Sequence, residues 1–374
     1  MAVGATMPLQ ELLKHLERLA NASLPLWPVP KGARARLINV SENATYLVEA
    51  DGFRSVLRVH RPAYHSRRGI EQELAWSQAL AADGMVSTPP PIPGTNGELV
   101  QEGRVEGLPE TRYMVMFAFA PGRQPDENED LAAPFERLGA IAARTHLHSQ
   151  AWTKPEPLER LVWDADAVFG PTPNWGNWRD APNVTPEIRA VLEKAEALVC
   201  RRLAAFGKGK ARYGLVHADM RLANLLIDGE ATTLIDFDDC GLGWFLYDFA
   251  TGVSFMEDHP QVPALRRAWV KGYRTVRALS DEEEAEIDTF VMLRRMALLA
   301  WIGSHIEAPE PQALAPDFAA TAAPCGRPER LPRFGPVFCG IRFSRLSRLV
   351  MMWRCIASTA RSGSRSLIAA KIAS

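Results

Sequence analysis

Three residues within one short stretch constrain this chain more than any other feature. In Leu215–Asn224 (LVHADMRLAN) an acid, Asp219, is followed five positions later by an amide, Asn224. Twelve residues further on, an apolar run ending Leu234-Ile235 delivers a second acid, Asp236. Asp228-Gly229 between the two runs is turn chemistry, so the runs fold back on each other and Asn224 is brought near Asp236. A carboxylate that can orient a hydroxyl and take its proton, beside an amide oxygen and a second carboxylate that can bind magnesium, is a donor set for phosphoryl transfer. That reaction rests on positioning and charge neutralisation, so few residues need be diagnostic. Each part alone is weak, because His-x-Asp is common and an acidic cluster is usually a solvated turn. In order, and joined by a hairpin, they point to a site.

The residues around the stretch divide by role. His217 reads as a brace for the loop backbone. Asp238 and Asp239 each read either as a further metal-binding acid or as a cap, and Tyr247-Asp248 reads as the architectural start of a helix.

The flanks alternate in character. Leu9, Leu12, Leu13, Leu16 and Leu19 recur at helical spacing. ARLINV, ATYLVEA and RSVLRVH, within 34–60, alternate as strands, with Asp51-Gly52 as a two-residue hairpin turn. Helical spacing returns over 68–82. A proline cluster from Pro89 to Pro93 then leads to two short strands, the second being RYMVMFAF (112–119), which stops at Pro121-Gly122. Helices are expected over 131–148, 186–206 and 262–278, and Ser280 with Glu283 forms a capping box ahead of a helix running to about Ser304. Trp163, Asp164, Trp175 and Trp178 fall in a Pro/Asn/Gly-rich insertion that is either a substrate lid or a loop packed on the helices. His146, His148 and Trp152, at a helix end, read as core.

The chain has 374 residues, 47% apolar and 23% charged, which allows a sizeable core. No run of apolar residues is long enough for a membrane span, and the N-terminus lacks a signal-peptide core, so neither a membrane nor secretion is expected. Five cysteines without a C-x-x-C pair read as free thiols in the cytoplasm. Past Glu329 there is no acidic residue and there are nine basic ones. Taking these from the 43 basic residues leaves 34 against 44 acidic ones, so the body is acidic and no nucleic-acid partner is expected. The segment 316–374 reads either as a basic, poorly ordered tail or as a non-native, frame-shifted end.

The spacing of Asp219 and Asn224 is that of a kinase catalytic loop. HADMRLAN, LIDFDD and GLGWFLYDFA together resemble the aminoglycoside phosphotransferase and choline kinase superfamily over roughly residues 25–305. Ala218 stands where the family usually has Gly. VLRVHRP and WDADAVFGPTPNWGNW are most similar to its stress-response kinase and type II homoserine kinase branch. The resemblance implies an α+β, protein-kinase-like bilobal fold with a small β-rich N-lobe and a larger helical C-lobe. It implies that Ser41-Glu42-Asn43 forms a loop over the nucleotide phosphates, with Ser41 and Asn43 as binding residues. It also puts Arg58 at the strand position of the usual phosphate-binding lysine, aligned by Glu73 or alternatively Glu71. Arg at that position keeps its charge but presents a planar fork in place of an ammonium point charge. Phe117 and Phe119 are implied as the hinge against which adenine stacks.

The expected architecture is an N-lobe over 1–120, a helical C-lobe over 121–315 and the atypical tail. The expected reaction moves the γ-phosphoryl group of ATP, with Mg2+, to a hydroxyl of a small molecule such as an amino alcohol, homoserine or an amino sugar. Asp219 is the base, and Asn224 and Asp236 are the metal ligands. A Ser/Thr protein kinase and a nucleotide-binding pseudokinase are the alternatives, and monomer and homodimer both remain open.

Overall fold

A computed structural model describes residues 7–40 and 43–325 of the chain. The expected loop residue Ser41 and the segment 326–374 lie outside the described residues.

The first helix, α1 (Leu9–Ser23), precedes strands β1 (Arg34–Val40), β2 (Ala44–Ala50) and β3 (Phe53–Val59). Helix α2 (Arg67–Ala82) follows, and then β4 (Pro91–Ile92), β5 (Gln101–Gly103) and β6 (Arg112–Ala118). These strands make one antiparallel sheet in the order β1-β2-β3-β6-β4, with β5 also on β6. Ala50 pairs with Phe53 across Asp51-Gly52, where Gly52 adopts φ 68°, a left-handed value that glycine takes without a Cβ clash.

Strand alternation decides what each face carries. Tyr46, Val48, Leu57, Val59, Met114 and Met116 pack under α1 with Leu16, Leu19 and Trp27. Val115 packs on the opposite face with Ile70 and Leu74 of α2. Arg58, between Leu57 and Val59, is thereby delivered to the α2 face, where Glu73 waits.

The second lobe comprises α3 (Ala132–Ala151), β7 (Leu161–Trp163), α4 (Ala165–Phe169), α5 (Pro186–Phe206), β8 (Tyr213–Val216), β9 (Leu225–Asp228), β10 (Ala231–Leu234) and β11 (Gly241–Trp244). Helices α6 (Tyr247–Gly252), α7 (Val262–Arg274), α8 (Asp281–Ala285), α9 (Ile287–Ser304) and α10 (Pro309–Cys325) complete it. Thus the fold is α+β, a small β-rich lobe beside a larger helical one. Strands β9 and β10 form the expected hairpin, and β7, β11 and β8 form a small mixed sheet. The link between lobes is tied to the hairpin by a reciprocal backbone pair, Arg123 N to Ile227 O at 3.0 Å and Ile227 N to Arg123 O at 2.8 Å.

Two local expectations differ from what is observed. The capping box at Ser280 and Glu283 is present, but the helix it starts ends at Ala285 and a second one begins at Ile287. The boundary expected at 316 falls inside α10, because Phe318, Ala319 and Ala322 are apolar at helical spacing and bury against the C-lobe. In the tryptophan-rich insertion, Trp163, Trp175 and Trp178 are all buried in the C-lobe core, so of the two readings the packed loop is the one observed. Among the described residues, no helix is long and apolar enough to cross a membrane.

Helices α3 and α7 cross at two glycines. A Cβ at Gly139 would stand 2.0 Å from the Trp269 carbonyl oxygen, and one at Gly272 would stand 1.8 Å from that of Glu136. Backbone, not a flexible side chain, occupies the space, so the helices must separate to admit a larger residue. Gly272→Val is expected to lower the unfolding free energy by about 3 kcal/mol, read by urea denaturation. An unchanged midpoint would show that the crossing can relax.

Candidate active site

Strand β8 runs into the loop 217–224, whose backbone is shaped by buried groups behind it. Ala218 takes φ 64°, a left-handed conformation that costs a residue with a Cβ about 1–2 kcal/mol. Asp248 of α6, fully buried, offsets that cost. Its Oδ1 accepts Ala218 N–H at 2.8 Å and its Oδ2 accepts His217 N–H at 3.2 Å. His146 Nε2 also donates to Oδ2 at 2.9 Å, while His146 Nδ1 accepts from the Tyr273 hydroxyl at 2.9 Å. Burial lowers the pKa of His146, which keeps it neutral as this arrangement requires.

His217 fixes the loop from within. Its Nδ1 accepts Asp219 N–H at 3.2 Å, so its Nε2 carries the proton and donates to Ile235 O at 3.2 Å. Burial lowers its pKa too, which suits a brace between the loop and the strand that delivers Asp236.

Asp219 is held by two hydrogen-bond donors and one further ion-pair contact. Asn224 Nδ2 donates to Oδ2 at 2.7 Å and to the Asp219 carbonyl at 2.9 Å, Arg294 Nη2 donates to Oδ1 at 2.8 Å, and Arg221 Nε stands 3.4 Å from Oδ2. With its nitrogen committed to Asp219, Asn224 keeps its amide oxygen for another partner. Asp236, at φ 63°, keeps 47% of its side chain open to the cleft between the lobes. Its deep position in that cleft, with Asp238, Asp219 and Glu73 nearby, pushes its carboxyl up to about 6 against the pull of Arg58. An open carboxylate crowded by like charges suits a cation.

From the N-lobe, Arg58 Nη2 donates to both Glu73 oxygens, at 2.6 and 2.8 Å, with both residues buried. Its Nη1 lies 3.4 Å from Asp236 Oδ1 and 3.8 Å from Asp238 Oδ1. Glu71 pairs instead with exposed Arg67 at 2.9 Å and takes no part. Glu73→Gln is expected to lower stability by about 2 kcal/mol in urea denaturation, since a buried guanidinium loses its counter-charge. Unchanged stability would mean that Asp236 and Asp238 suffice for Arg58.

Asp238 ties the lobes together. Asn43 Nδ2 donates to Asp238 Oδ2 at 2.8 Å, and Asn43 Oδ1 accepts Arg61 N–H at 3.1 Å, so both ends of that amide are engaged. His60 and His65 each place a ring nitrogen 3.6 Å from the Asp238 carboxylate. Burial alone would raise the Asp238 pKa, but Arg58, His65 and His60 outweigh it and hold the group ionised. Arg160 braces the turn behind it, donating to the carbonyls of Asp238, Cys240 and Gly69. Asp239 accepts from Tyr64 at 2.7 Å, and Trp175 Nε1 reaches the same hydroxyl at 3.3 Å. The Phe117 ring lies 5.1 Å from Arg58, whereas Phe119 stands apart under Arg54 at 4.0 Å.

The structure therefore brings Asp219 and Asn224 together, and Arg58, Glu73, Asn43 and Asp236 together around Asp238. The sequence reading did not single out Arg294, Arg221 or Arg160 for the site. Of these, Arg294 had a signal: a charged pair inside the apolar run VMLRRMALLAW.

The model of the phosphotransferase enzyme family matches residues 35–286. A solved structure of a microcompartment-associated aminopropanol kinase is 44% identical, covering 81% of this chain and 94% of that one, with a TM-score of 0.75. Amicoumacin kinase of Bacillus subtilis (strain 168) is 26% identical over 71% of this chain and 78% of its own length. The amicoumacin kinase hAmiN, solved with AMP-PNP, Ca2+ and Ami, shares the fold at 21% identity and a TM-score of 0.66, over 86% of this chain and 95% of that one.

Proposed function

This chain belongs to the phosphotransferase enzyme family and is an ATP-dependent kinase of hydroxyl-bearing small molecules, and we propose that its acceptor is a short amino alcohol. The observation that carries the reading is the convergence, on one cleft, of the Asp219–Asn224 pair, the open Asp236 carboxylate and the Arg58–Glu73 pair.

In this reading Asp219 orients the acceptor hydroxyl and takes its proton. The oxygens of Asn224 and Asp236 would hold Mg2+, which when bound would supply charge neutralisation at the phosphates. Arg58, aligned by Glu73, adds a fixed charge on the N-lobe side, and the grip of both Glu73 oxygens on its Nη2 keeps it from collapsing onto Asp236. Arg in the place of Lys is accommodated here because three carboxylates, Glu73 at Nη2 and Asp236 with Asp238 at Nη1, match its fork. Phe117 lies on the hinge side, where the adenine is expected, and Asn43 at the entry to β2 is tied to Asp238.

Two features support an amine on the acceptor. The 44% identical relative is an aminopropanol kinase. Asp239 also carries its charge close to Arg294 and Tyr247 and accepts from Tyr64, and a carboxylate at this place suits an ammonium. The free thiols of Cys200 and Cys240 support a reducing, cytoplasmic setting.

The test is ADP release with Mg2+ over a panel of 1-amino-2-propanol, ethanolamine, choline, homoserine, an amino sugar and a generic protein substrate. The highest kcat/KM is expected with a short amino alcohol. Turnover confined to the protein substrate would sink this reading in favour of a Ser/Thr kinase.

A further inference from the structure

Helix α9 carries Arg294 and Arg295 side by side in an apolar run, and they are only 2% and 3% exposed. A guanidinium stays charged in a protein, so each must find acceptors inside the core or destabilise it. Arg295 is explained by packing. It donates to Glu257 Oε2 at 2.5 Å and to Thr321 Oγ1 of α10 at 2.7 Å.

Arg294 points toward the chemistry. Its Nε donates to Ser254 Oγ at 3.0 Å, its Nη1 to the carbonyl of left-handed Ala218 at 3.3 Å, and its Nη2 to Asp219 Oδ1 at 2.8 Å. The rings of Trp175 and Tyr247 lie 5.1 and 5.9 Å from it and confine its plane. Every nitrogen is therefore directed, and two of the three acceptors belong to the loop that presents Asp219.

We propose that Arg294 is a positioning residue for phosphoryl transfer: it fixes the plane of the Asp219 carboxylate through Oδ1, so that the lone pairs left open meet the acceptor hydroxyl. This rests on the reading of Asp219 as the group that meets the acceptor. Without Arg294, the carboxylate is held inside the loop by Asn224 through Oδ2 alone, with Arg221 further off, and it can rotate about that point. Arg221 does not replace the missing contact, because it approaches the other oxygen and its far end pairs with Glu310 at 3.1 Å. Lysine has no planar fork and cannot reach the carboxylate, the carbonyl and Ser254 together.

The test is a kinetic cycle of Arg294→Gln and Arg294→Lys in the wild-type and Asp219→Asn backgrounds, with urea unfolding of each variant. In the wild type, kcat is expected to fall about 10²-fold for Gln and by less for Lys, with KM for ATP and acceptor unchanged. In the Asp219→Asn background neither substitution should cost anything further, as for residues that act as a unit. If the Gln variant does not fold, the Lys variant carries the same cycle. An equal loss in both backgrounds, or a raised acceptor KM with kcat intact, would overturn the proposal. An inactive Asp219→Asn with unimpaired Arg294 variants would overturn this inference alone, whereas a fully active Asp219→Asn would overturn the reading beneath it.

Discussion

Asp219→Asn is expected to lower kcat by about 10³-fold while KM for ATP stays within about twofold. The substitution keeps the side chain's size and leaves one oxygen to accept from Arg294 or Asn224, so the loop retains its shape. What it removes is the carboxylate that orients the hydroxyl and takes its proton. ATP meets other groups, Arg58 and Asp236 among them, so nucleotide binding should survive. Steady-state kinetics with the best acceptor, alongside nucleotide titration, separate the two effects. A kcat within tenfold of wild type would mean that the proton leaves without Asp219 and that the loop serves binding only.

The second large effect is on folding. Asp248→Ala is expected to remove about 4 kcal/mol of stability, on the order of 10 °C in Tm. The carboxylate is wholly buried and accepts from the backbone of His217, the backbone of Ala218 and the ring of His146. Alanine leaves all three donors buried without their acceptor. Ala218 would also lose the bonds that hold it at positive φ, so the loop should relax and kcat should fall with stability. Asp248→Asn keeps one oxygen and is expected to cost about half as much. Thermal unfolding of the pair decides the matter, and equal Tm values for Ala, Asn and wild type would remove Asp248 from its place as anchor.

How far the sequence reaches follows from how each feature is built. The 217–224 loop, the 225–234 hairpin and Asp236 are local, set by turn chemistry and spacing over a few residues, and could be read directly. Strand alternation likewise placed the N-lobe strands. The resemblance singled out Arg58, and the alternation of β3 explains why it meets Glu73. The supports are different in kind. Arg294 reaches Asp219 across 75 positions, Asn43 reaches Asp238 across 195, and His146 reaches Asp248 across 102. No local pattern encodes such pairs, and only the burial of a charge in an apolar helix hints at one of them. The tryptophan-rich insertion stays open in the sequence for a related reason. Its prolines and glycines suit a lid or a packed loop, and the packing of Trp163, Trp175 and Trp178 in the C-lobe core decides between them. At the C-terminal end, the loss of acidic residues past Glu329 is a feature of composition, whereas the helical spacing of Phe318 and Ala322 is what places α10.

The central claim is that this cleft moves a phosphoryl group from ATP to a hydroxyl. Phosphorus NMR of wild-type enzyme with ATP, Mg2+ and 1-amino-2-propanol tests it most directly, because it separates a phosphate ester from inorganic phosphate. The account predicts a phosphomonoester signal growing in step with ADP, absent when the amino alcohol is left out and absent with Asp219→Asn. ADP accompanied only by inorganic phosphate, or an ester formed equally well by Asp219→Asn, would contradict it.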